Sequence, residues 1–76
     1  MKTAVVRDIK RNNIKKIAAK SNTVLDYGMN SHYFAVWTYR ESDQLREIAP
    51  SQNIQLDKKM ATIMRDALDE FINGGK

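Results

Sequence analysis

No cysteine occurs in the 76 residues, and His32 is the single histidine. Disulfides are thereby excluded, and zinc loses its usual thiolate and imidazole donors. This bears heavily on folding, because a chain of about this length buries only about 60% of the surface its unfolded form exposes. Small folds without a covalent or metal staple often gain stability by association, most simply with a second copy of the same chain. The composition is that of a globular protein, with 42% apolar and 29% charged residues, too apolar for a disordered segment. No apolar run approaches the ~20 residues of a transmembrane helix. The start of the chain turns charged at Arg7, too early for the apolar stretch of a secretory signal. The expectation is a soluble cytoplasmic protein of one domain over residues 1–76.

The net charge of +4 is unevenly placed. Residues 1–31 contain Lys2, Arg7, Lys10, Arg11, Lys15, Lys16 and Lys20 against Asp8 and Asp26, which leaves +5. Residues 32–76 contain six cations and seven anions, which leaves −1. A basic segment attracts phosphate by counterion release, without reading sequence. It equally suits an acidic protein surface, or a solvated face that keeps a small protein in solution.

Residue patterns predict α+β structure with short strands and two or three helices. Residues 3–6 are β-branched and extended. Over 12–20, Ile14, Ile17 and Ala18 keep i, i+3, i+4 spacing with Lys15, Lys16 and Lys20 around them, which predicts a short amphipathic helix. Residues 23–25 are extended again, and 28–31 carry turn chemistry. The clearest strand is 32–40, with Tyr33, Ala35, Trp37 and Tyr39 on one face and Phe34, Val36, Thr38 and Arg40 on the other. Both faces are mostly apolar, so cover is expected on both sides. Ser42 caps a predicted helix ending near Ala49, because Pro50 lacks an N–H and biases its predecessor away from helix. Residues 51–56 read as a connector pinned by Ile54 and Leu56. Asp57 then caps a last helix, whose Met60, Ile63, Met64, Ala67, Leu68 and Phe71 form one continuous apolar stripe. Asn73, Gly74 and Gly75 end it.

A shift of 31 residues superposes eight identical positions without a gap, among them Ala4 on Ala35, Ile17 on Ile48, Leu25 on Leu56 and Met29 on Met60. This is either a duplicated strand–helix unit or the coincidence of two short apolar patterns. Residues 1–31 would then be a folded half, or else a basic arm, beside a strand–helix–helix unit over 32–76.

Catalytic chemistry finds no constellation. Nucleophilic catalysis would have to use His32 beside a turn. Asp66, Asp69 and Glu70 fit ordinary helix pairing better than an acid cluster. No phosphate-binding glycine loop, metal box or cofactor motif is present. The expectation is a protein that is not an enzyme and needs no cofactor or metal. The aromatic residues Tyr27, Tyr33, Phe34, Trp37 and Tyr39 are dense enough to stack bases. They serve as well for a sheet core or an interface.

The order strand (33–39), short helix (42–49), connector and final helix, closing on Ala61 to Ile72, resembles the ribbon-helix-helix DNA-binding family over 33–72. The resemblance implies an intertwined homodimer whose paired strands enter a DNA major groove. It implies base reading by Thr38 and Arg40, and backbone contact from Lys58 and Lys59 at the start of the last helix. Lys2, Arg7, Lys10, Arg11, Lys15 and Lys16 would add affinity for duplex DNA without specificity. Tyr33, Ala35, Trp37, Tyr39, Ile63, Ala67 and Phe71 would form the dimer interface. The function implied is that of a small repressor or antitoxin. A second reading is a protein-interaction module or inhibitor, meeting an acidic partner through its basic helix and aromatic strand. A third is an aromatic RNA-binding sheet.

Overall fold

The computed structural model describes residues 2–74. Four strands are followed by one helix: β1 (Lys2–Val5), β2 (Thr23–Met29), β3 (Phe34–Arg40), β4 (Gln52–Leu56) and α1 (Lys58–Ile72). They form a mixed sheet in the order β1-β4-β3-β2, in which only the β1–β4 pair is parallel.

The β2–β3 hairpin sets the register. Asn30 turns the chain: its Oδ1 accepts the backbone N–H groups of His32 and Tyr33, both at 2.8 Å. This is a side-chain-stabilised turn of the type asparagine favours. The predicted turn over 28–31 therefore begins later, and Gly28 and Met29 belong to β2. Gly28 has a packing reason to lack a side chain, because a Cβ there would lie 3.3 Å from Trp37 Cζ3.

Residues 51–56, expected as a connector, instead supply β4, the strand that joins both halves of the sheet. Thr38, Val36 and Phe34 oppose Gln52, Ile54 and Leu56, while Lys2 and Ala4 oppose Gln52 and Ile54. Strand side chains alternate, so Ala4, Val36, Phe34, Ile54, Leu56, Leu25, Tyr27 and Met29 share one face. The other face carries Ala35, Trp37, Tyr39, Asp26 and Asn53. Asn53 is buried, yet satisfied: its Nδ2 donates to the Val36 carbonyl at 3.1 Å and its Oδ1 accepts from Gln55 Nε2 at 2.9 Å.

Two predicted helices do not form. Residues 12–20 belong to an irregular segment, 6–22, linking β1 to β2 across the full width of the sheet. Nine residues fall below the length at which an isolated helix holds in water, and Lys16 and Lys20 repel at i, i+4 spacing. Ile14 and Ile17 are exposed there, without an apolar surface to reward a helix. Residues 42–49 curl around the buried Asp43 instead. Its carboxylate accepts the N–H groups of Glu47 at 2.7 Å and Ile48 at 2.9 Å. Side-chain acceptors of this kind compete with a helix for backbone donors. Arg46 completes the turn at φ 60°, outside the helical region.

The ribbon-helix-helix arrangement is therefore not the fold. Its first helix is absent, and β3, the intended ribbon, is an interior strand hydrogen-bonded on both edges. Such a strand has no free ladder with which to pair a second copy. The repeat at 31 residues places β1 over β3 and the two irregular segments over one another. The second half of each expected strand–helix unit is therefore a loop.

The final helix forms where its apolar stripe places it. Asp57 caps it, accepting the Met60 N–H at 2.8 Å. Asn73 closes it, and Gly75 lies outside the described residues. The helix touches the sheet chiefly through its first turn. Among the described residues, Leu56 and Met60 are the two buried apolar side chains, at 6% and 7% exposure. Further along, Leu68, Phe71 and Ile72 stand exposed.

Candidate nucleic-acid interface

The β1–β2 segment holds most of the basic side chains in solvent. Every residue from Arg11 to Thr23 is exposed. One point ties the segment down: Arg11 donates to both carboxylate oxygens of Glu70 on α1. Both bonds come from the same terminal nitrogen, a charge-assisted contact that anchors the segment at one point. Ile9 and Lys10 lie beside Ile63, Ala67 and Phe71 at the same contact. Lys10 also approaches Asp8 at 3.9 Å, with both side chains exposed. Among the described residues, Arg7, Lys15, Lys16 and Lys20 have no carboxylate within ion-pair distance. Four cations thus remain available to an outside anion.

The sheet adds cations at one end. Lys2 opposes Gln52, and Gln52 opposes Thr38, so Lys2 and Thr38 lie in one cross-strand row. Arg40 follows two residues on and opposes Thr23, where the basic segment rejoins the sheet. Lys2, Thr38 and Arg40 therefore share an end of the sheet with the approach from Lys20. Lys58 and Lys59 begin α1 at the opposite end, beyond Leu56 and its partner Phe34. Arg40 and Phe34 are six residues apart, about 20 Å along a strand. The two groups that the family resemblance brings to one DNA site are held apart by the length of the sheet.

The residues expected at a dimer interface fall in separate places. Ala35, Trp37 and Tyr39 lie on the face away from Phe34 and Val36, Tyr33 is in the hairpin turn, and Ile63, Ala67 and Phe71 are beside Ile9 and Arg11.

Sequence reasoning missed the cluster of Arg46, Asp26 and Tyr39. Arg46 reaches back over twenty residues to Asp26, with Nε at 2.8 Å and a terminal nitrogen at 2.6 Å from Oδ1. Its guanidinium also lies 5.0 Å from the centre of the Tyr39 ring, within the range of a cation–π contact. No spacing rule could have found this pair, because only the β2–β3 register and the turn at Asp43 bring them together. The hydrogen bond from Arg46 holds the Asp26 carboxyl below the usual carboxylate range, and the same bond raises the guanidinium above its ordinary value.

The sign of the resulting pH dependence follows directly. A carboxyl depressed in the folded state contributes stability above its unfolded value, near 3.9. That contribution is lost as pH falls through the lower folded value. Asp26→Asn is therefore expected to flatten the fall in thermal midpoint as pH drops below about 4. Circular dichroism melts of both proteins across that window check it, and parallel curves would refute it.

Arg46 is thus committed internally and is not a free anion ligand. Among the described residues no cluster of histidine or carboxylate has metal-site composition, and no helix is long and apolar enough to cross a membrane. No protein-family model, curated protein or solved structure matches this chain. The site must be judged on its own chemistry. Its cations Arg7, Lys15, Lys16 and Lys20 are exposed and have no carboxylate partner among the described residues, a set suited to an extended polyanion more than to a small ligand.

Proposed function

We propose that the protein is a small DNA-binding protein that grips the phosphate backbone of duplex DNA through its basic β1–β2 segment. The observation that carries this reading is the exposure of Arg7, Lys15, Lys16 and Lys20 without ion-pair partners, on a segment pinned to α1 by Arg11 and Glu70. Lys2 and Arg40 extend the basic surface at one end of the sheet. Contacts of this type supply affinity and register, and carry little sequence information. A regulatory role, as a repressor or antitoxin, would draw its specificity from elsewhere on the surface. Base reading by a paired β3 ribbon is not part of this proposal.

The test is fluorescence anisotropy with a mixed-sequence duplex across a salt series. Four phosphate contacts give a slope of log affinity against log salt of about −3 to −4. Failure to bind at low salt would overturn the reading.

A second reading, a module that binds an acidic protein, rests on the same exposed, unpaired cations Arg7, Lys15, Lys16 and Lys20. Pull-down of an acidic protein, with no duplex binding, would select it.

A further inference from the structure

The sheet face bearing Val36 and Ile54 and the flank of α1 bearing Met64, Leu68 and Ile72 diverge from one end and enclose an open groove of about 940 Å³. Its walls are almost wholly apolar. Leu25, Tyr27 and Met29 extend the same sheet face beyond it, and all three are exposed. The Tyr27 ring stacks on Phe34 with centroids 5.7 Å apart, so this face is ordered although uncovered.

The chain as a whole is more open than a compact monomer of its size. A compact monomer of 8.8 kDa exposes about 4,800 Å². This chain exposes 6845 Å², an excess of about 2,000 Å² over that figure. The Cα radius of gyration is 14.1 Å, where a compact chain of this length has about 11 Å. Part of the excess lies on the polar β1–β2 segment, which belongs in water. Less than half of it would still meet the ~800 Å² per partner of a standard interface.

Charge selects the occupant. Across α1, Lys58, Lys59 and Arg65 balance Asp66, Asp69 and Glu70. The groove itself is lined by Lys58, Arg65 and Asp69, so its walls carry both signs of charge. Its helical wall presents Arg65 and Asp69 one turn apart. Arg65 is turned to Asp66 at 3.1 Å, and Asp69 has no ion-pair partner among the described residues. A two-fold interface is self-complementary. Antiparallel packing of two such helices would set Arg65 of one protomer against Asp69 of the other, on both sides of the axis.

We infer that a second copy of this chain fills the groove, the two protomers burying α1 and the Val36–Ile54 sheet face against each other. The dimer is thus formed through the face opposite Trp37 and Tyr39. It leaves both basic segments outside, and it is independent of whether they bind DNA.

Sedimentation equilibrium of the full chain without nucleic acid, from 1 to 100 µM, tests this. The expected mass is twice 8.8 kDa. A monomer at 100 µM would overturn the inference. Leu68→Gln with Ile72→Glu is expected to raise the dimer dissociation constant on the order of 100-fold or more. Ile72 is 72% exposed in the single chain, so its replacement cannot unfold a monomer. Loss of mass with helical circular dichroism retained therefore reports the interface. Ile17→Glu, an equally apolar exposed site outside the groove, should leave the mass unchanged. A dimer that survives the double substitution, or one lost in Ile17→Glu, would place the interface elsewhere and overturn the assignment. Duplex binding measured separately on the same proteins keeps the two proposals distinguishable.

Discussion

Replacing Arg7, Lys15, Lys16 and Lys20 together by glutamine is expected to weaken duplex binding by about 10²- to 10³-fold at 0.1 M salt. The size follows from counterion release. Each phosphate neutralised adds about 0.9 to the salt slope, and the affinity difference between two such binders grows as salt is lowered. Removing four contacts should leave a slope near zero for the segment and a loss shared by every DNA sequence. The fold should be untouched, since substitutions at exposed sites of this kind fall within about 0.5 kcal/mol. If anything, removing like charges relieves repulsion along the segment. Anisotropy against several unrelated duplexes, with a thermal melt as control, is the measurement. Unchanged affinity with an unchanged slope would show that the segment does not hold the backbone. A loss confined to one duplex would mean that these residues read bases.

Leu56→Ala should be the most damaging single substitution in the sheet–helix junction. Leu56 ends β4, immediately before the Asp57 cap, and is 6% exposed beside Met60. Truncating a buried leucine costs about 2–5 kcal/mol, from lost transfer energy and the cavity left behind. A domain of this length has about 4–11 kcal/mol of stability in all. The loss is therefore a large share, and a fall in thermal midpoint of roughly 10–40 °C is expected. The damage should be concentrated where α1 leaves the sheet, so helical signal should be lost first. Leu45→Ala is the control: Leu45 is 80% exposed, and its truncation should move the midpoint by little. Equal effects from the two substitutions would mean that the junction is not the core.

The two regions differ in how far they could be read from residues alone. The last helix was legible because its apolar stripe, its Asp57 cap and its Asn73 close are all local, and local signals agree there. The β2–β3 hairpin was half legible. The aromatic run announced β3, while Gly28 suggested a turn and in fact makes room for Trp37 across the ladder. Residues 51–56 were misread because Gln52, Asn53 and Gln55 are polar. In the sheet, Asn53 is buried only because the Val36 carbonyl and Gln55 satisfy it, a compensation that requires the neighbouring strand. The helix expected at 42–49 failed for a similar reason. Asp43 takes the Glu47 and Ile48 donors, and Arg46 is drawn to Asp26 and Tyr39. The family resemblance rested on that helix and on a free β3, and it fell with both.

The candidate site divides in the same way. The cation content of the first third is a property of composition, and the exposed basic segment follows from it, because lysines without partners remain in water. Which cations stay free is a tertiary matter: Glu70 takes Arg11, while Asp26 takes Arg46. Residue type and spacing within a few turns were enough to set the charge asymmetry, the absence of disulfides and the amphipathic last helix. Only the tertiary structure decided that β4 joins β1 to the hairpin, that Lys58 and Lys59 stand far from Arg40, and that the helix leaves its apolar flank open beside the sheet. Those outcomes depend on pairing between segments about fourteen to fifty residues apart, where the energy of a contact is set by the partner that arrives and not by the residue that waits for it.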